Sequence, residues 1–479
     1  MGGVIRPFLF LVSLVGIVGG VFYRGTLVNF LESEAPFIES VFIPEGIGVE
    51  GAEIILRVRD DGAGIDEIVV RAQQHGIETE LLRQSLGGVS EQEFRIPLDG
   101  EGGRFREGKL DLLVRAFDRS FWSNGDEVEL SLVVDYQTPK LEVITTQHNA
   151  RVGGAQLLIY RASDGDLVES GVRVGDFFFR GYPARQLDAA LTEPDLYAVI
   201  YAIPFRGRAV SRYKISAEAK DRSGNLSKIS FYSKEAPARV STQQVALSNA
   251  CLQGKVSEVF RSSENILREA VGDGELERIR SLPGLEASSE QFRLVSEQLR
   301  MFDSAHLAEL TKISGVLTFE RQPFQKQHGI VRYAHQQKLS FTTNGKALSE
   351  LWHRGYFYRM RPGAPEVVAA SGGTVAFVEE LGTFGTVVGI DHGLGVFSIY
   401  GDLQQVQVKA GDEVEGESVL GFSGQGVFGC ERGTLFQVRV QGVPVEPAEW
   451  LSAQWHTGHI TRKVASAKRL LGLATPVSF

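Results

Sequence analysis

A chain of 479 residues, 43% of them hydrophobic, is long enough for roughly three domains of the usual ~150 residues and too long for one core. Charged residues make up 23% of it with a net charge of −9, so there is no large basic field, and nucleic acid is not expected as a partner. The 54 glycines come with plentiful aromatic and β-branched residues, a combination that fits a folded, turn-rich, mainly β multidomain chain rather than a disordered one.

At the amino terminus Arg6 precedes seventeen uncharged residues, Pro7 to Tyr23, followed by Arg24, Glu32 and Glu34. A bilayer core needs about 17 to 25 such residues. With no small-x-small cleavage site and no nearby cysteine for a lipid, residues 1–25 are expected to form an uncleaved transmembrane signal anchor, a cleaved secretory signal being the alternative. The expected location is the inner membrane, single-pass, with the bulk of the chain in the periplasm. Cys251 and Cys430 stand 179 positions apart, so a disulfide is permitted in an oxidising compartment but not implied.

From 37 to 139 the pattern predicts strands at Glu53 to Val58, Glu67 to Ala72, Glu93 to Pro97, Lys109 to Ala116 and Glu127 to Asp135, separated by acidic and glycine-rich turns. That spacing suggests an immunoglobulin-like sandwich. Residues 140–236 repeat the plan, with strands at Gln156 to Tyr160, Asp176 to Phe179, Leu196 to Ile203, Ser211 to Ala219 and Ser227 to Tyr232. Ala116-Phe117-Asp118-Arg119-Ser120 returns 103 residues later as Ala219-Lys220-Asp221-Arg222-Ser223, which points to duplication. The aspartates should close their turns on backbone amides. A calcium site at Asp60, Asp61 and Asp66 is a further candidate, weighed against a merely solvated acidic loop.

Across 241–313 the period changes. Val245, Val256, Val259, Phe260 and Leu267, then Phe292, Val295, Leu299 and Phe302, recur at helical spacing on either side of Pro283-Gly284, predicting a helical hairpin that acts as a spacer.

In the final stretch, 315–452, apolar β-formers alternate with small or polar residues from Glu366 to Gly426, and glycine pairs mark the turns. Asn344-Gly345 offers a tight hairpin turn just ahead. Val387 to Leu403 (VVGIDHGLGVFSIYGDL), with Val408-Lys409-Ala410-Gly411-Asp412-Glu413-Val414, resembles the core of the LytM or lysostaphin-type peptidoglycan metalloendopeptidases. The resemblance implies a β-barrel or sandwich and a groove. In that family two His and one Asp hold a zinc with an open position for water.

Carried onto this chain, the family's His-x-x-x-Asp segment reads His353 to Phe357, so the histidine stays and a phenyl ring replaces the carboxylate. Its Tyr-x-His-Leu segment reads Tyr400-Gly401-Asp402-Leu403, and its His-x-His-Phe pair reads Gly433-Thr434-Leu435-Phe436. His353, Phe357, Tyr400, Asp402, Gly433 and Leu435 are therefore expected to line a vestigial groove with no catalytic residue, metal or cofactor. His353 and Asp402 are expected to share a charge-assisted hydrogen bond that raises the histidine pKa. His392 is read as structural. The basic tail, 453–479, is read as a helix capping the domain or touching an anionic surface.

The resulting expectation is a membrane-anchored envelope protein that is not an enzyme and that binds peptidoglycan or regulates a separate cell-wall hydrolase. Two alternatives remain at this stage. One is an active zinc endopeptidase that cleaves peptidoglycan cross-links, its site remodelled from His353, Asp402 and a third ligand such as His328, His335, Cys430 or Glu431. The other is a structural adaptor in an envelope complex.

Overall fold

A computed structural model describes residues 30, 32–210, 212–361 and 365–473. The anchor expected at 1–25 lies outside the described residues, and among the described residues no helix is long and apolar enough to cross a membrane. The chain divides into two compact units: Met1–Pro139 with Asp164–Val168 and Lys220–Ser227, and Lys140–Ser163 with Glu169–Ala219 and Lys228–Phe479.

Two sheets face each other in the first unit. One has the order Phe37–Phe42, Ala52–Arg59, Glu91–Leu98; the other runs Gly46–Ile47, Gly125–Val134, Gly108–Asp118, Ile65–Gln74, Ile77–Val89. Period-two burial makes the core: Ile54, Leu56 and Val58 point inward from one sheet, Ile68, Val70, Leu112 and Val114 from the other, and all join one cluster. All five strands expected in this stretch are present, with ends displaced by one or two residues, and three more flank them. Asp60 turns inward, but Asp61 and Asp66 face solvent, so the cation site drawn from those three does not assemble.

The second unit opens on a four-stranded sheet of order Tyr182–Pro183, Leu196–Ala202, Ala155–Ser163, Lys140–Val143, and on the antiparallel pair Leu167–Val174 with Phe177–Arg180. A run of short helices from Asn249–Cys251 to Arg300–Leu310 follows, with π-helical turns at Leu252–Val256 and Val295–Leu299. This is more than the expected hairpin. Pro283 does separate Asp273–Ser281 from Gly284–Leu294, as a residue that cannot continue a helix should. Ser241–Ala246, expected to be helical, is instead a strand in parallel register with Gln337–Thr343, whose other neighbour is Lys346–Trp352. Asn344 and Gly345 link those two strands with φ of 47° and 76°, the doubly left-handed turn that an Asn-Gly pair tolerates.

The C-terminal strands form one sheet of order Gly329–Tyr333, Tyr356–Met360, Arg432–Val440, Val419–Gln425, Val396–Gln404, Gly385–Asp391, Gly373–Leu381, Glu413–Val414. Arg432–Val440 also pairs with Val396–Gln404. Cys251, at the start of the helices, is disulfide-bonded to Cys430, in the loop before Arg432–Val440. The basic tail is a helix, Arg462–Leu470, whose buried Lys463 donates to Gln156 Oε1 and the Leu157 carbonyl, both at 2.8 Å.

Candidate functional site

The groove inferred from the sequence is set by three neighbouring strands. Phe357 pairs with Leu435, and Gly401 pairs with the same Leu435, so these residues and Gly433, two positions away, share one face of the sheet. Tyr400 pairs with Phe436 and lies on the opposite face. There its hydroxyl accepts from the Ala370 amide (2.6 Å) and contacts Ser398 Oγ (2.9 Å), which in turn bonds His392 Nε2 (2.7 Å). Tyr400 and His392 thus belong to one buried polar chain away from Phe357. Asp402 would follow Tyr400 to that far face, but its φ of 56° breaks the alternation and re-aims the carboxylate.

Phe357 fills the middle of the groove. A Cβ placed on Gly433 would stand 2.7 Å from the Phe357 ring, and one on Gly426 would stand 3.0 Å from both that ring and Asp402 Oδ2. The ring, the two glycines and the Asp402 carboxylate therefore occupy one crowded space. His353 lies at its edge with its ring centroid 5.8 Å from that of Tyr333, which is equally far from Phe357.

His353 Nδ1 sits 3.1 Å from the Gly355 carbonyl, to which it donates. Among the described residues no hydrogen bond joins His353 to Asp402, and the expected pair does not form. Burial, with the nearby Arg300 charge adding to it, pushes His353 down to about 3, the reverse of the expected direction. Burial pushes Asp402 up to about 7 against the pull of Lys255 and Arg300.

Three arginines that the sequence reading passed over dominate the surroundings. Arg300 reaches in from the helix Arg300–Leu310, its guanidinium 4.7 Å from the Phe428 ring and 5.2 Å from the Phe384 ring. Arg354 donates to the Phe205 carbonyl at 2.8 Å. Arg439, buried on the same strand as Gly433, has Nε and Nη1 without a partner. Burial and mutual repulsion lower Arg300 to about 10 and Arg439 to about 9. Arg439 stands in a strand, Arg432–Val440, that is otherwise buried on both faces after its first residue, and a charge inside such a run was the available signal.

The helices cover this groove. Phe357 and Val427 share an apolar cluster with Leu252, Val256, Phe292 and Leu299, and Leu435 shares another with Leu307, Phe384 and Phe397. Asp303 pins the last helix to the sheet by accepting from the Thr383 amide (2.7 Å) and hydroxyl (2.6 Å).

Residues 352–447 match the model of peptidase family M23. This stretch is an M23 domain. Its curated relatives include an uncharacterised protein of Neisseria meningitidis, 37% identical over 102 residues, which are 21% of this chain and 16% of that protein. Stage II sporulation protein Q of Bacillus subtilis is 32% identical over 88 residues (18% and 31%). Murein hydrolase activator EnvC of Escherichia coli is 33% identical over 86 residues (18% and 20%). The chain spans less than a third of each relative's length.

Zinc, which the family implies, does not fit the residues of this M23 domain. A catalytic zinc needs three protein donors converging on one point. Phe357, Gly433 and Leu435 offer none, and Cys430 is already bonded to Cys251. Among the described residues, His353 and Asp402 form no group of three metal donors with His328, His335 or Glu431. His335 Nδ1 accepts from the Gly355 amide at 2.9 Å instead.

Proposed function

We propose that the protein is an envelope-located regulator of a separate cell-wall hydrolase, built around an M23 domain that does not itself hydrolyse. The observation that carries this reading is the groove's content: the Phe357 ring occupies the space beside Gly433 and Asp402, under a layer of helices of the same chain. A peptide substrate would have to displace both. A binding role in that groove is disfavoured for the same reason, whereas a surface contact with a partner protein needs no open cleft.

Three further features support the reading. One relative sharing this domain is named a murein hydrolase activator. The Cys251–Cys430 bond suits an oxidising compartment such as the periplasm. The apolar run from Pro7 to Tyr23 suits an inner-membrane anchor, with two immunoglobulin-like modules as the stalk.

The test is to incubate the purified full chain with peptidoglycan, alone and with a cell-wall hydrolase from the same cells, while measuring bound zinc. The expected outcome is no stoichiometric zinc, no soluble fragments from the chain alone, and faster release by the hydrolase when the chain is present. Chelator-sensitive release by the chain alone would replace this reading with that of a remodelled peptidase.

A further inference from the structure

In the first unit three acidic side chains from distant parts of the sequence meet at one end of the sandwich. Glu32 precedes the strand Phe37–Phe42, Asp60 follows Ala52–Arg59 directly, and Asp118 ends Gly108–Asp118. One carboxylate oxygen from each lies within 4.8 Å of the others. Asp60 and Asp118 are only 6% and 1% exposed.

The local hydrogen bonds hold these groups in place. Asp118 Oδ1 accepts from the Ser120 amide (3.1 Å) and hydroxyl (2.7 Å), and its Oδ2 accepts from Asn124 Nδ2 (2.9 Å). Asp60 Oδ1 accepts from the amides of Gly62 (2.8 Å) and Gly64 (3.0 Å), while Glu32 Oε2 accepts from Ala63 (2.5 Å). Asp60 Oδ2 is buried and has no partner. Among the described residues no lysine or arginine pairs with any of the three. A buried carboxyl oxygen left without a partner beside two further acidic groups is costly unless a cation joins them.

The same arrangement occurs a second time. Asp135 and Asp221 stand 103 residues after Glu32 and Asp118, and Asp164 stands 104 after Asp60. With Asp166 they again bring one oxygen each within 4.8 Å of the others. The bracing amide recurs as well. Asn124 Nδ2 donates to the carbonyls of Glu32 and Glu34 (3.4 Å each), and Asn225 Nδ2 donates to those of Asp135 (2.8 Å) and Gln137 (3.2 Å). Asp166 is pushed upward, first by burial and then by its acidic neighbours.

We propose that these two clusters are a duplicated pair of calcium sites, the first formed by Glu32, Asp60 and Asp118 and the second by Asp135, Asp164, Asp166 and Asp221. The donors are all oxygen, which selects a hard cation, and irregular loop geometry suits calcium better than magnesium with its strict octahedron. Two oxygens bound to one calcium at about 2.4 Å can be no more than about 5 Å apart, and both clusters meet that limit. In the first cluster the ion would tie the segment leading into the module to the ends of two of its strands. The inference is independent of the role assigned to the M23 domain.

The experiment uses the full chain stripped of metal with a chelator and titrated calorimetrically with calcium chloride. Two ions per chain are expected, with Kd on the order of 10⁻⁴ to 10⁻³ M. Asp60→Asn should remove one ion, and Asp221→Asn the other. Because Asp60 also braces its loop, Glu32→Gln serves as the second variant: it keeps an acceptor for Ala63 and should also remove one ion. Terbium gives a direct readout of the first site through Trp122, which stands in the turn between Ser120 and Asn124, the two residues that bond Asp118. Trp122→Phe should lower that luminescence. Absence of calcium binding at millimolar concentration, or terbium luminescence unchanged by Glu32→Gln, would overturn the proposal.

Discussion

The groove of the M23 domain and the acidic loops of the first unit teach opposite lessons about where metal chemistry resides. The groove sits in a domain whose family carries a zinc, yet Phe357, Gly433 and Leu435 supply no donor and three arginines crowd its surroundings. The loops lie outside the residues that match that family, yet they bring three carboxylates together and leave a buried oxygen unpaired. Donor geometry, not family membership, decides what a site can hold.

The comparison can be broken most forcefully at Phe357. Truncation to alanine should cost about 3–5 kcal/mol, the usual range for emptying a buried aromatic position, as read from denaturant unfolding. Phe357→Asp should bind no zinc and release no wall fragments, since Leu435 still denies a third ligand. Zinc bound stoichiometrically by that variant would show that the groove is one residue from a metal site. Replacing Cys251 and Cys430 together by serine should cost about 2–5 kcal/mol, and reductant should lower the wild-type melting temperature to the variant's.

A smaller effect distinguishes the groove through pH. Asp402, held up at about 7, keeps its proton in the fold where the unfolded chain releases it. Its contribution is complete below about pH 4 and is lost as pH rises through about 7. His353, held down at about 3, is neutral in the fold while the unfolded chain takes up a proton below about pH 6.5, so acid removes its contribution. Between about pH 4 and 6.5 the two oppose each other. Asp402→Asn, a residue tolerated at that left-handed φ, removes one side of the balance, and stability of the variant should fall on acidification where the wild type is flatter. The smallest change is expected at the acidic loops: in metal-free buffer Glu32→Gln should stabilise by no more than about 0.5 kcal/mol, because the group is partly solvated.

Legibility in the sequence followed burial. Strands with one buried face, such as Ala52–Arg59, show their alternation and were found. Ile77–Val89 was missed because it is an edge strand with no buried residue, which leaves its side chains free of any period. Ser241–Ala246 reads as helical from the spacing of Val245 alone, since a polar strand carries little signal of its own. Phe302, which shares the helical spacing, is 46% exposed, while the other helix positions that the spacing picks out are buried. At the site, His353 and Phe357 could be placed by motif, but Arg300 could not, because no local pattern says that a helix more than fifty residues earlier will fold onto that strand. The acidic clusters were within reach: applying the 103-residue echo to Glu32 and Asp118 leads directly to Asp135 and Asp221.

The parallel pairing of Ser241–Ala246 with Gln337–Thr343 constrains how the groove could ever be uncovered. The helices that follow Ser241–Ala246 are held by that pairing at their start, by the Cys251–Cys430 bond, and by Asp303 on Thr383 at their end, so they cannot swing away as a free arm. Any pull that raises them is delivered mechanically to the small sheet, whose strand Lys346–Trp352 leads directly into His353.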